Sequence, residues 1–428
     1  MATKKKKNVK LVPNLRFPEF VKDGAWSEVP LNDYTKRITT KVGSKVLPPV
    51  SITAGKGFVE QSKKFGRDIS GDQYKSYIHI KKGDFVYNKG NSKTFAQGCV
   101  YQLNEFDEAA ASSAFICFKL EAQHVDLYFQ NIFEHNVHGR KLAKFITSGA
   151  RSNGLLNINA TDFFSIELPI PPERIEQQKI ADCLSSLDKL IAAHSTKLAA
   201  LQDHKKALLQ KLFPAKGETT PELRFSEFTE GGGWKQSTIG QTFKTQSGGT
   251  PSRNKQSYWN GDIPWVTTSL VNFNVITKVI EYISADGLEN SSAKIFPQST
   301  ILLAMYGQGK TRGQVAILGI EAATNQACAA ILPSSKVGYQ FTFQNLSGRY
   351  EELRKLSNEG GQQNLSQTLV KDLSFSYPTG DEEQQKLANC LSSLDSLITA
   401  QIDKTAYLKE HKKGLMQQLF PNSEEVVT

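Results

Sequence analysis

The segment around residue 310 comes nearest in this chain to a nucleotide-binding motif. Gly309, Lys310 and Thr311 match the end of a P-loop, in which backbone N–H groups and a lysine bind phosphate and a hydroxyl binds Mg²⁺. The first glycine of that motif would fall at position 304, which is Ala304. The apolar residues at 313–318 predict a second strand where a P-loop is followed by a helix. We therefore predict no nucleotide binding here.

Other patterns of catalytic and metal-binding residues are missing from the sequence. It contains no HExxH pair, no G-x-S-x-G elbow, no G-x-G-x-x-G that opens a helix after a strand, and no Asn/Asp-Pro-Pro-Phe/Tyr tetrapeptide of amino-methyltransferases. The five cysteines form no CxxC pair, which favours a reduced, cytoplasmic protein over a disulfide framework or a zinc site. We expect Cys183 and Cys390 to be buried small residues. The chain is predicted to hold no catalytic residue, metal or cofactor.

Five glycine-rich loops carry the residue types that bind DNA, at 89–93, 148–153, 248–255, 309–312 and 360–364. Glycine lets the backbone approach phosphate, Lys and Arg neutralise it, and Asn, Gln and Arg can pair with base edges. Any one of these loops could be an ordinary polar surface loop, but the five together favour DNA binding. The candidate DNA-contacting residues are Lys89, Asn91, Lys93, Arg151, Asn153, Arg253, Lys255, Lys310, Arg312, Gln362 and Gln363.

The overall charge fits a polyanionic partner. The 428 residues include 52 Lys and Arg against 42 Asp and Glu, a formal net charge of +10. No run of about 18 apolar residues predicts a membrane span. The basic N-terminus leads to no apolar segment, so we interpret it as a solvated tail and not as a secretory signal. The length predicts two or three domains.

An internal repeat supplies the elements that must position these loops. Residues 176–214 and 383–421 are identical at 25 of 39 positions, at a constant offset of 207. The segments 13–20 and 221–228 are also alike, and each is followed at the same distance by a tryptophan, Trp26 or Trp234. The long segments between these repeats align poorly, and their short strands and helices predict an α+β domain. Repeated segments that stay alike indicate a common framework, and the divergent segments between them indicate two domains that perform the same kind of function on different targets.

The repeated segments predict two long helices with a heptad seam. Apolar residues alternate at steps of four and three over more than four heptads, which is typical of a coiled coil. The seam residues are Ile180, Leu184, Leu187, Ile191, Leu198, Leu201, Leu208 and Leu212 in the first copy and Leu387, Leu391, Leu394, Ile398, Leu408, Leu415 and Leu419 in the second. Each helix should start after a proline, Pro172 or Pro378, and end at a Leu-Phe-Pro sequence.

Two seams of equal length predict an antiparallel pair that acts as a spacer. About 40 residues give a helix of roughly 60 Å, longer than one DNA turn of about 34 Å. Polar residues interrupt the seam at matched positions, His194 with Gln401 and Lys205 with Lys412. They could fix the register of the pair or lie at its exposed rim, and the sequence leaves both possibilities open.

These features resemble the specificity subunit of type I restriction–modification systems. The resemblance rests on the two E-Q-Q-K-[IL]-A-x-C-L-S-S-L-D-x-L-I helices, on GGTPSRNKQSYWNGDIPWVTTS at 248–269 and on IKKGDFVYNKGNS at 80–92. It extends from Pro13 to Pro421. It implies two mixed α/β target-recognition domains joined by two long helices in an antiparallel coiled coil, as a pseudo-two-fold tandem repeat.

The resemblance also implies a function and partners. Each domain would bind one half of a split, asymmetric sequence in double-stranded DNA. Two modification subunits would bind S-adenosylmethionine and methylate adenine, and restriction subunits would use ATP and Mg²⁺ to translocate and cut DNA. The chain itself would be non-catalytic.

The predicted organisation has six parts. They are a basic tail at 1–12, a target-recognition domain at 13–170, a helical spacer at 171–214, a second target-recognition domain at 215–378, a second helical spacer at 379–421 and a tail at 422–428. Three alternatives stay open: a recognition subunit for a fused methylase–nuclease, a coiled-coil adaptor that binds proteins, and an enzyme with an unfamiliar site.

Overall fold

The protein divides into two structural units, each with its own core. The computed structural model describes residues 11–53, 55–67, 71–90, 95–146, 156–307, 310–356 and 364–421. One unit is built on residues up to Ser195 and from Lys404 onward, and the other on Thr196–Asp403. Each long helix therefore contributes to both units. The domain limits proposed from the sequence stay predictions.

The described part of the first unit contains ten strands and four short helices before the first long helix. The strands are β1 (Ser27–Pro30), β2 (Thr35–Ile38), β3 (Pro49–Thr53), β4 (Gly57–Glu60), β5 (Ile78–Lys81), β6 (Phe85–Asn88), β7 (Cys99–Gln102), β8 (Glu108–Ala111), β9 (Ile116–Leu120) and β10 (Glu167–Ile170). The helices are α1 (Gln61–Phe65), α2 (Asp126–Glu134), α3 (Val137–Leu142), α4 (Ala160–Phe164) and the long α5 (Arg174–Leu212).

The second unit repeats this order, with one more strand and one more short helix among its described residues. Its strands are β11 (Lys235–Thr238), β12 (Thr245–Ser247), β13 (Trp259–Val266), β14 (Asn274–Ile276), β15 (Glu281–Ile283), β16 (Ile295–Phe296), β17 (Ile301–Ala304), β18 (Val315–Leu318), β19 (Ala322–Thr324), β20 (Cys328–Ile331) and β21 (Ser374–Tyr377). Its helices are α6 (Ile239–Thr242), α7 (Ala285–Glu289), α8 (Tyr339–Gly348), α9 (Tyr350–Lys355), α10 (Gln367–Asp372) and the long α11 (Asp381–Leu419).

Short 3-10 helices complete the described secondary structure. They span Pro18–Phe20, Leu31–Asp33, Gly71–Ser76, Ala143–Phe145, Ser226–Phe228, Gln256–Tyr258 and Thr268–Leu270.

The two domains have the same strand topology although their sequences diverge. In the first, one sheet has the order β2-β9-β6-β7 and the other β4-β3-β8-β5, and only β3 and β8 are parallel among the described strands. In the second, the corresponding sheets are β12-β20-β17-β18, extended by β14, and β15-β13-β19-β16. Here β13 and β19 are parallel, and the additional strand β14 is parallel to β18. A two-stranded antiparallel sheet, β1 with β10 or β11 with β21, joins each domain to its long helix. The α+β prediction is confirmed.

The central strand of each domain lies between two apolar cores, which explains its largely apolar sequence. On β6, Phe85 and Tyr87 pack into the core on the helix side, whereas Val86 packs between the two sheets. On β17, Leu303 packs into the core on the helix side and Leu302 packs between the two sheets. Because side chains alternate across a strand, one apolar run serves both cores.

The long helices run antiparallel within each unit. In the first unit, Leu184 of α5 packs with Met416 and Leu419 of α11, and in the second, Leu212 packs with Leu387. The residues of the heptad seam are buried or half-buried throughout, and the antiparallel pairing agrees with the prediction. The charged residues of the seam do not lie at an exposed rim, since the Lys205 and Lys412 side chains are only 15% and 8% exposed.

Two smaller expectations can be compared with the structure. Lys310 and Thr311 precede the strand β18, so the strand predicted after them is confirmed, whereas Gly309 lies outside the described residues. Cys183 and Cys390 are half-buried rather than buried, so that expectation was wrong in degree. Both occupy the flank of the seam, where a helix pair leaves partial access to solvent.

Candidate nucleic-acid interface

A buried glutamate at the start of α5 holds the N-terminal motif of the first unit. Glu176 is fully buried and accepts two hydrogen bonds of 2.7 Å from the guanidinium of Arg16 and one of 3.2 Å from Trp26 Nε1. Arg16 Nη1 also donates to the carbonyl oxygens of Asp23 and Gly24. The hydrogen bonds to Glu176 raise the pKa of Arg16, so the guanidinium stays charged. We call this arrangement the clamp.

The second unit contains the same clamp. Glu383 at the start of α11 accepts from Arg224 at 2.8 and 2.7 Å and from Trp234 Nε1 at 3.3 Å. Arg224 Nη1 donates to the carbonyl oxygens of Gly231 and Gly232. The short motif and its tryptophan are therefore repeated because each long helix needs the same attachment.

The residues next to each clamp glutamate attach the helix further. Gln177 Oε1 accepts from the backbone N–H of Val125, just before α2, and Gln384 Oε1 accepts from that of Gly338, just before α8. These buried amides satisfy a backbone donor at each helix start, where no intrahelical partner is available. The Glu-Gln sequence thus seats each domain on its long helix.

A second repeated contact joins the long helices within the first unit. Lys412 of α11 binds Asp188 of α5 at 2.8 and 3.0 Å and Glu134 of α2 at 2.8 Å. Burial lowers the pKa of Lys412, but the two carboxylates outweigh it and the pKa is raised. One ammonium group therefore links both long helices to the domain.

The matching residues make the reciprocal contact in the second unit. Lys205 of α5 lies 2.5 Å from Asp395 of α11, which also accepts a 2.8 Å hydrogen bond from Gln344 of α8. Lys205 corresponds to Lys412, and Asp395 to Asp188, by the offset of 207. Each lysine thus pairs with the aspartate of the other copy, which we call the crossed pairs.

Three loops of the second unit converge at one edge of its sheets. Gly249 N donates to Thr324 O at 2.8 Å, and Thr250 Oγ1 donates to Gln326 Oε1 at 2.5 Å. A Cβ on Gly248 would lie 2.1 Å from Thr324 O, and one on Gly249 would lie 2.3 Å from Ser292 C. Gly248 is therefore required for the close approach of the 248–255 loop to the end of β19, and Gly249 for its close approach to Ser292.

The remaining loops of this unit meet at Met305, directly after β17. Met305 N donates to Ala327 O at 2.8 Å, and Met305 O accepts from Leu365 N at 3.0 Å. The loops at 248–255, 305–314 and around 364 are consequently neighbours. The structure thus groups three loops that were separate in the sequence.

Arg253 is a cation at this edge that is both held by neighbouring side chains and exposed to solvent. Its guanidinium carbon lies 3.7 Å from the ring centroid of Trp259 and 5.0 Å from that of Trp265. It also pairs with Glu281 at 2.5 Å, yet its side chain is 55% exposed. Trp265 Nε1 donates to Gly249 O at 3.0 Å, so the stacking platform is tied to the same loop. Arg253 is fixed in position and still accessible.

The matches to known proteins identify the family of this chain. The family model described as type I restriction modification DNA specificity domain matches residues 58–203 and 231–407, most of the chain. The chain belongs to this family.

Individual relatives agree with this assignment. The Escherichia coli type I restriction enzyme EcoR124I/EcoR124II specificity subunit is 26% identical over 54% of this chain and 62% of that protein. The Methanocaldococcus jannaschii MjaIX specificity subunit is 31% identical over 44% of each protein. These alignments span less than two thirds of either relative. The putative MjaX specificity subunit of the same organism is 25% identical over 87% of this chain and 84% of that protein.

Solved structures show the same fold. The S subunit of a type I restriction-modification system from M. genitalium has a TM-score of 0.58 at 13% identity, over 96% of this chain and all of that one. A chain from a study of complex assembly and conformational transition of the type I R-M system has a TM-score of 0.57 at 14% identity, over 93% and 98%.

Two of the other cations predicted for the second specificity domain, Lys255 and Arg312, have structural partners. Lys255 is exposed, and its Nζ lies 2.9 Å from Tyr258 Oη, a contact that raises the pKa of the lysine. Arg312 is half-buried and donates to Arg354 O at 2.7 Å, which ties its turn to α9. Lys310 is exposed at the same turn.

In the first specificity domain, the loop that follows β6 also contacts the segment that ends at Leu156. Leu156 N donates to Lys89 O at 2.9 Å, which corresponds to the contact between Leu365 and Met305 in the second. The loop at 89–93 therefore starts beside the one that ends at Leu156. Six candidates lie outside the described residues, namely Asn91, Lys93, Arg151, Asn153, Gln362 and Gln363. All eleven candidates stay predictions.

Sequence inspection missed several residues that the structure makes important. The arginine and glutamate of each clamp could have been found, because both recur in the repeats with the tryptophan. Trp259 and Glu281 carry no such signal, since their relation to Arg253 depends on the β13–β15 pairing. Among the described residues, no group of three His, Cys, Asp or Glu side chains could hold a metal ion. No described helix is long and apolar enough to cross a membrane.

Proposed function

We propose that this chain is the DNA-recognition subunit of a type I restriction–modification enzyme and that each unit binds one half of a bipartite, asymmetric site. The observation that carries the proposal is that both units have the same structural framework. Strand order, clamp and crossed pair are the same in both units, whereas the loops at the sheet edge differ. A common frame with different loops suits two domains that bind different sequences.

DNA is the partner that fits the charge and shape of these edges. The net charge of +10 favours phosphate binding, and the candidate cations Arg253, Lys255 and Lys310 are exposed on loops of the second unit, which supports the proposal. Arginine can contact guanine through two hydrogen bonds, and it also binds phosphate. Base contacts give sequence preference, while phosphate contacts supply salt-dependent affinity.

The helix pair would set the unread spacer between the two half-sites. Both long helices have 39 residues, and the crossed pairs favour one register over its neighbours. A shift by one heptad would place Lys412 opposite Ala181 or Ser195. Such a shift would leave a buried lysine without a carboxylate, which is costly.

Catalysis would belong to partner subunits. Two modification subunits would bind S-adenosylmethionine and methylate adenine, and restriction subunits would use ATP and Mg²⁺ to translocate and cut DNA. The repeated frame gives this chain pseudo-two-fold symmetry, which suits two identical modification subunits. The chain itself would direct these activities without a catalytic residue of its own.

The test is to co-express the chain with its modification subunit in a host free of DNA methylation and to map methylated adenines by direct sequencing. We expect one split motif with two unlike halves at fixed separation. The modification subunit alone serves as the control and should give no such motif. A stable complex that leaves the genome unmethylated would contradict the proposal and favour a protein-binding adaptor.

A further inference from the structure

The short helix α1 of the first unit carries a basic surface that lies outside the five glycine-rich loops. Its exposed residues Lys63 and Lys64, together with Lys56 before it and Arg67 after it, place four cations within twelve positions. Glu60 is the acidic residue within this stretch, and its contact with Lys63 is 3.4 Å long and exposed to solvent. A solvent-exposed pair of this kind is weak, so Lys63 can exchange Glu60 for phosphate at little cost.

The helix is anchored firmly enough to hold these cations in place. Gln61 is 3% exposed, and its side-chain nitrogen lies 3.3 Å from Tyr77 Oη and 3.5 Å from Val50 O. Gly66 ends the helix with a φ of 71°, a conformation that glycine adopts without strain. The basic surface is therefore attached to the sheet through a buried side chain.

A shared acceptor places α1 beside the predicted DNA-contacting loop. Lys64 Nζ donates to Ile52 O at 3.2 Å, and Asn88 Nδ2 donates to the same oxygen at 3.3 Å. Asn88 ends β6, and the next residue is Lys89, where the 89–93 loop begins. Phe65, which is 46% exposed, extends this surface with an aromatic ring.

The corresponding helix of the second unit has the opposite character. It is α7, which follows β15 as α1 follows β4, and its sequence is Ala-Asp-Gly-Leu-Glu. Asp286 and Glu289 stand in a helix with no lysine or arginine. The basic charge of α1 is therefore not required by the shared frame, and it belongs to the first domain alone.

We infer that α1 is a phosphate-contacting element of the first domain, in which Lys63 and Arg67 bind the DNA backbone next to the first half-site and Phe65 packs against the sugar edge. This inference rests on the proposed DNA-recognition function. It predicts that the two domains contact DNA unequally, since α7 would repel phosphate. None of the four cations in this basic surface needs to contact a base, so the recognised sequence should not depend on them.

The test is a double variant, Lys63→Ala with Arg67→Ala, in the full chain bound to its modification subunits. Binding to a duplex that contains the mapped site is measured by fluorescence anisotropy at several salt concentrations. Removal of two phosphate contacts should reduce the slope of log affinity against log salt by about 1.8. The methylated motif should be unchanged. A slope equal to that of the wild type would overturn the inference.

Two further variants separate this inference from folding defects and from the proposed function. Lys82→Ala removes an exposed lysine at the turn before β6, the opposite end of that strand from Asn88, and should leave the slope unchanged. Glu60→Gln keeps the fold, removes the competing carboxylate and should steepen the slope. If the wild type itself shows no methylation motif and no preference for one DNA sequence, the proposed function fails. A wild type with that preference and an unaffected double variant would reject only the role of α1.

Discussion

Arg253 illustrates how one exposed side chain can be prepared for a ligand before the ligand arrives. Stacking on Trp259 and pairing with Glu281 restrict its rotamers, while more than half of the side chain remains accessible. An arginine held in this way loses less conformational entropy on binding than a free one does. Its position at the edge where the loops converge makes it the strongest single candidate of the second domain.

We expect Arg253→Ala to weaken DNA binding and to lower the salt slope by about one unit if the guanidinium contacts phosphate. If it contacts a base pair, the variant should instead relax one position of the motif at a cost of about 1–3 kcal/mol. Anisotropy and methylation mapping of the same complex distinguish these outcomes. Lys336→Ala, an exposed lysine in the loop between β20 and α8, is the matched control. Unchanged affinity and an unchanged motif would remove Arg253 from the interface.

At the scale of elements, the clamp explains why a short motif far from each helix in sequence is repeated with it. The glutamate, arginine and tryptophan form one buried polar network, and each member satisfies the others. Such a network is stable only when complete, because an unpaired buried charge costs more than the pair contributes. The clamp thereby fixes how each domain is seated on its helix.

The Glu383→Gln variant should destabilise the second unit by about 3 kcal/mol, because Arg224 would remain buried without a carboxylate. Urea unfolding of the full chain measures this change. The neighbouring Glu382 is exposed, so Glu382→Gln is the control and should stay within about 0.5 kcal/mol of the wild type. Equal stability of the two variants would show that the clamp contributes little.

The crossed pairs make a second prediction at this scale. Lys412→Met removes the partner of Asp188 and Glu134, and it should cost about 1 kcal/mol, measured by urea unfolding, because both carboxylates are about half exposed and stay solvated. Lys413→Met next to it should have little effect, since the Lys413 side chain is 65% exposed and its contact with Glu410 is 3.8 Å long.

The other crossed pair offers a reversal experiment. In the parent structure Lys205 lies 2.5 Å from Asp395. The double variant Lys205→Asp with Asp395→Lys should recover stability that either single variant loses, because opposite charges would again face each other. A double-mutant cycle gives the coupling energy. A coupling energy near zero would mean that this contact does not hold the helices together.

At the scale of the molecule, the sequence predicted the frame better than the sites. The heptad pattern and its offset predicted the two helices and their antiparallel pairing. The sequence did not reveal that Lys205 and Lys412 would each meet an aspartate of the other copy, because Asp188 and Asp395 flank the seam rather than lie in it. Nor did it reveal the shared strand order, since different apolar residues can fill equivalent strands as long as alternation is kept. The convergence of loops depends on hydrogen bonds between distant residues, such as that between Met305 and Ala327.

Because the same framework occurs in both units, we can predict which half of the methylated motif loses specificity when one clamp is weakened. Each unit has its own cores, sheets and clamp, so a loosened clamp should affect the half-site that its own domain binds. Glu176→Gln and Glu383→Gln are the same change at equivalent positions, and each should make one half of the methylated motif degenerate.

Methylation mapping of both variants tests this prediction whichever domain binds which half. The two variants should blur opposite halves, and the separation between the halves should stay fixed because the crossed pairs are intact. Loss of discrimination in the same half, or equally in both, would contradict independent domains. That result would mean that recognition by one unit depends on the clamp of the other.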